Sequence, residues 1–65
     1  MVSYQRWTSI VFDVARQRGA QFGSIEDGQP VIRLAAEVWK DRKDEIAPVS
    51  VAEARDIALE EVEVR

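Results

Sequence analysis

Residues 30–40, Pro30-Val31-Ile32-Arg33-Leu34-Ala35-Ala36-Glu37-Val38-Trp39-Lys40, decide the fold class of this chain. Val31, Leu34, Ala35, Val38 and Trp39 recur at the i, i+3, i+4, i+7 and i+8 spacing of one helical face. Arg33, Glu37, Lys40 and Asp41 fall on the side that meets water. Proline is favoured in the first turn of a helix, where its missing N–H has no partner to lose. The spacing therefore predicts a helix over about 30–45, with Ile46 returning to the core. Ala47-Pro48-Val49 ends it, because the residue before a proline is pushed away from the helical region. Lys40 and Asp44, four apart, are placed to pair on its solvated end.

Upstream, Tyr4, Trp7, Val11, Val14 and Ala15 form a second stripe of the same period, widened by Ile10 and Phe12. It predicts a helix over about 3–18. Ser3 is its N-cap candidate, Arg16 and Arg18 suit the negative end of the dipole, and Gly19 suits the left-handed stop. Residues 22–29, Phe22-Gly23-Ser24-Ile25-Glu26-Asp27-Gly28-Gln29, carry two glycines and an Asp-Gly pair, and read as a loop with Phe22 and Ile25 folded back onto the core. Glu26-Asp27-Gly28 lacks the ligand ladder of a calcium loop.

Downstream, Ser50 with Glu53 forms a capping box that opens a third helix over about 51–61. Its expected buried residues are Val51, Ala54, Ile57 and Ala58. The alternation Glu61-Val62-Glu63-Val64 reads as an extended end. One domain of three helices follows, with Trp7, Val11, Leu34, Ala35, Trp39 and Ile57 as its core anchors.

The chain has 65 residues, with no Cys and no His. That rules out disulfides and thiol chemistry and removes the commonest general base and zinc ligand. No cofactor or metal is implied, and paired carboxylates such as Glu60-Glu61 carry no burial signal for acid–base work, so an enzyme is not expected. Apolar runs do not exceed three residues, too few to cross a membrane, and the N-terminus lacks the apolar core of a secretory signal. An intracellular or virion-borne protein is the expectation, whether of nucleus, cytoplasm or particle. So short a chain buries only about 60% of its unfolded surface, so a partner or a second copy could supply stability.

Charge is divided. Residues 1–43 hold seven Lys/Arg and five Asp/Glu, whereas residues 44–65 hold two and seven, for a total of −3. The third helix is therefore acidic, fit to dock a basic partner or to shield the basic half of its own chain.

Ser3-Tyr4-Gln5-Arg6-Trp7 together with residues 30–40, Pro30 through Trp39-Lys40, resembles the HMG-box superfamily, most closely its short YABBY-like form. The likeness covers about residues 3–43. It implies an L-shaped arrangement of three helices that bends DNA through the minor groove, an apolar side chain wedging between base steps while cations neutralise phosphates. By position, Tyr4 is the wedge, Arg6, Arg33, Lys40, Arg42 and Lys43 are the phosphate contacts, and Trp7 and Trp39 are core. With a sequence pI near 4.8, the expected binding is weak, salt-sensitive and indifferent to sequence. The alternative is an acidic protein-interaction or oligomerisation module that binds no DNA.

Overall fold

The computed structural model describes residues 1–64. Three helices account for it: α1 (Tyr4–Gln17), α2 (Ile25–Ile46) and α3 (Val51–Val64), with no strand among the described residues. The molecule is the all-α three-helix domain expected.

Local chemistry sets the helix ends. Ser3 caps α1, its hydroxyl accepting from the Arg6 N–H at 3.1 Å. At the other end Gly19 takes φ +97°, which an L side chain resists. That turn lets Ala20 N–H donate to Ala15 O and Gly19 N–H to Arg16 O, both at 3.0 Å, the paired bonds of a Schellman stop. At α3 the Ser50 hydroxyl accepts from Glu53 N–H at 3.2 Å. The Ser50 hydroxyl in turn donates to the Glu53 carboxylate at 3.4 Å, so the box is closed side chain to side chain.

α2 departs from the expected boundaries. It begins at Ile25, not Pro30, and Gly28 and Pro30 lie inside it. Ser24 is the cap, accepting from Asp27 N–H at 3.4 Å, while the Asp27 carboxylate accepts from Gly23 N–H at 3.0 Å. The residues read as a loop thus contain a helix start. Gly28 is there because of packing: a Cβ at that position would meet Phe12 Cε1 at 3.2 Å. The Phe12 ring occupies that space and meets Phe22 edge-on, centroids 5.1 Å apart. Phe22 folds back onto Phe12 rather than onto the core cluster, and Ile25, also expected in the core, is 82% exposed. Near its other end α2 kinks at Arg42 (φ −125°, ψ 24°). The ion pair formed there is Arg42–Glu45 at 2.6 Å, rather than Lys40–Asp44.

α3 stays helical through Val64, so the alternating tail is helical and not extended. Val51, expected buried, is exposed; Ala54 and Ala58 are fully buried and Ile57 is half-buried against the core.

The core is shared by all three helices: Val2, Trp7, Ile10, Val11, Val14, Ala35, Val38, Ile46, Ala54 and Ala58, with Leu34, Trp39 and Ile57 packed on its edge. Ile10, which the sequence leaves as a flank, is inside. Trp7 is wholly enclosed, and its indole N–H donates to Ala35 O at 3.0 Å, satisfying the one polar group that its burial strands. Val2 is buried, and its N–H donates to Ala47 O at 2.8 Å, tying the start of the chain to the end of α2. The contacts Tyr4–Trp39, Trp7–Ala35 and Phe12–Gly28 show that α1 and α2 run antiparallel. α3 packs mainly on α1, and its far end pairs Glu63 with Arg18 at 3.1 Å.

Candidate nucleic-acid interface

The seam between α1 and α2 presents Tyr4. The residue is 43% exposed, and its ring leans on Trp39 in a T-shaped contact, centroids 5.5 Å apart. Trp39, expected as core, is half-buried: one side packs on the core and the other supports Tyr4. Ile32, seven residues before Trp39, lies on the same stripe of α2 and is 40% exposed. Together they make an apolar edge with aromatic character open to solvent.

Cations adjoin this edge on one side. Lys43 follows Trp39 by four residues, just past the kink at Arg42, and Arg33 and Lys40 lie about 100° around the helix from Ile32 and Trp39, their preceding neighbours. All three are exposed. Glu37 and Asp44 bound this flank farther round the helix. Arg16, in the last turn of α1, also belongs to the seam: its guanidinium lies 5.5 Å from the Phe22 ring centroid and 5.9 Å from that of Phe12. It pairs with Asp13 at 3.1 Å. The i, i+4 spacing of Phe12 and Arg16 was the signal that could have found it.

Two expected phosphate contacts are elsewhere. Arg6 is exposed but sits about 200° around α1 from Tyr4, beside Ser3, Gln5 and Ser9, and so points to a different face. Arg42 is held by acids: Glu45 at 2.6 Å, and Glu60 and Glu61 of α3 at 3.8 Å each. The hydrogen bond to Glu45 raises its pKa, burial opposes that, and the charges of Glu45, Glu60 and Glu61 add to the rise. This is where the acidic third helix does shield the basic half.

Among the described residues no polar or charged side chain is buried, and no group of carboxylates is arranged to hold a metal ion. An open groove of about 480 Å³ on α2 is lined by Pro30, Val31, Arg33, Leu34 and Glu37. No helix among the described residues is long and apolar enough to cross a membrane. No protein-family model, curated protein or solved structure matches the chain.

Proposed function

We propose that this chain is a small, non-enzymatic helical module that associates with DNA, within chromatin or a nucleoprotein or virion particle, weakly and without sequence preference. The observation that carries the reading is the half-exposed Tyr4 ring, braced by Trp39 beside Lys40, Lys43 and Arg33. A braced aromatic at an exposed edge can insert between base steps, and cations beside it release counterions from the phosphates. HMG-box kinship remains part of this proposal, with Tyr4 as the wedge. Arg6 and Arg42 contribute little, the first by its position and the second because its charge is already met.

The test is a titration with duplex DNA at about 50 mM salt, read by backbone amide shifts. Shifts concentrated at Tyr4, Ile32, Lys40 and Lys43, fading as salt rises, support the reading. No shift up to about 100 μM DNA removes it.

A second reading, an acidic protein-interaction module, is favoured by a separate observation. Glu53, Asp56, Glu60 and Glu63 are all exposed and follow i, i+3, i+7, i+10 along one side of α3. Such a ladder repels itself slightly and suits a basic partner.

A further inference from the structure

We propose that residues 21–29, the link from α1 together with the first turn of α2, form a strap that opens as one unit while the rest of the domain stays folded. Closed, it covers one side of the Phe12 ring; open, it uncovers that ring. The proposal goes beyond both functional readings and depends on neither.

The strap lies outside the core. No residue from 16 to 30 is among the core hydrophobics or those packed on their edge. Within the strap Gly28 is buried and Phe22 half-buried, and the other seven residues are exposed. One cluster on α1 holds it. The Phe22 ring meets Phe12 edge-on at 5.1 Å, and the Arg16 guanidinium stands 5.5 Å from the Phe22 centroid. Gly28 lies so close to Phe12 that a Cβ would stand 3.2 Å from the ring. Two more bonds, Asp27 N–H to Ser24 Oγ and Gly23 N–H to Asp27 Oδ2, lie inside the strap. They cannot keep one helical turn wound by themselves in water, so release from Phe12 and unwinding are a single step.

Both ends of the strap are marked by backbone chemistry. At the near end Ala20 N–H is bonded to Ala15 O in the stop of α1, so the free chain begins at Gln21. At the far end Pro30 is the sixth residue of α2, past its first turn. It has no N–H to give the Glu26 carbonyl four residues before, and its ring crowds that carbonyl. Gly28 adds backbone freedom that a helix must suppress. The ladder of α2 is therefore weakest between residues 26 and 30. Beyond it Ala35 and Val38 are anchored in the core, so the opening stops there.

The experiment is native-state amide hydrogen exchange on the whole 65-residue chain, read residue by residue. Gly23, Asp27, Gly28 and Gln29 report the strap; Val11, Ala35 and Val38 report the core. The four strap amides should share one opening constant, at least about 100-fold larger than those of the core. Urea should change it little, because the opening exposes little surface. Pro30→Ala supplies the missing donor, and should reduce strap opening at least about tenfold with core exchange unchanged. Phe22→Ala removes the edge contact, and should raise strap opening about tenfold. Should that variant unfold, Pro30→Ala decides alone. Strap amides as protected as the core overturn the proposal. So do four amides with graded, unrelated openings, which is ordinary fraying, or a Pro30→Ala effect that reaches Ala35 and Val38 equally. The readout uses neither DNA nor a protein partner, so both functional readings stand or fall on their own tests.

Discussion

Trp7 is the residue on which most of the packing converges: it is fully enclosed, and its N–H is bonded to a carbonyl of the neighbouring helix. Removing it as Trp7→Ala should cost about 3–5 kcal/mol, comparable with all the stability a core this small supplies. Trp7→Phe keeps most of the apolar body and loses the bond, for about 2 kcal/mol. Urea denaturation should find the first variant unfolded in buffer and the second folded with an earlier midpoint; an unchanged midpoint for Trp7→Phe would show that the bond to Ala35 is idle. Gly19 tests backbone strain separately. A Cβ there meets nothing within 4 Å, yet φ is +97°, so Gly19→Ala should destabilise by about 1–2 kcal/mol through conformation alone. A neutral result in thermal melts would mean that the turn relaxes. Both residues were legible beforehand, Trp7 from its place on a stripe and Gly19 as a stop, because each signal is local. The bond across to Ala35 was not legible, since it joins residues 28 positions apart.

The helices differ in how their ends are secured. α3 depends on Ser50, whose hydroxyl serves both the Glu53 N–H and its carboxylate. Ser50→Ala should cost about 1 kcal/mol and lower helicity preferentially in α3, as amide exchange at residues 52–55 would report. Protection unchanged there would assign the cap no role. α2 is the element whose boundary the sequence hid. Glycine and proline at 28 and 30 suggested a loop, and glycine in a helix costs about 1 kcal/mol. The ring of Phe12 against Gly28 and the Ser24–Asp27 cap outweigh that. The stretch Ser24-Ile25-Glu26-Asp27 carries a capping pattern of its own, visible once glycine is not taken as decisive. Arg42 gives α2 a pH signature. Its pKa is raised in the folded state, so its contribution is complete throughout the neutral range and is lost only in strong alkali, above its ordinary value. Arg42→Gln should reduce stability by under about 1 kcal/mol, and less still in high salt, because these pairs are partly exposed. A loss that grows with salt would contradict the ion-pair account.

At the scale of the molecule, one core joins all three helices, α3 through Ala54 and Ala58, which bring it close to its neighbours. Unfolding should therefore be a single cooperative step. Far-ultraviolet circular dichroism and tryptophan emission should give coincident urea transitions, and an early loss of ellipticity would mean that α3 melts on its own. The same arrangement turns a charge imbalance along the chain into two faces, an acidic side on α3 and a basic, aromatic edge at the α1–α2 seam. Of the six residues proposed from the sequence to meet DNA, Tyr4, Arg33, Lys40 and Lys43 gather there. Arg6 and Arg42 do not, because a residue's side of a helix follows from its register with the neighbouring helix and not from its charge.

The sequence by itself determined three amphipathic helices, the caps at Ser3 and Ser50, the stop at Gly19 and the end of α2 before Pro48. Each of those follows from period, propensity or hydrogen bonds within a few residues. Only the tertiary structure decided that α2 starts at Ile25, that it kinks at Arg42, that the tail to Val64 stays helical, and which cations α3 neutralises. Most of those depend on contacts between residues distant in the chain, such as Phe12 with Gly28 and Arg18 with Glu63, where burial and charge pairing exceed the small local preferences that a sequence displays.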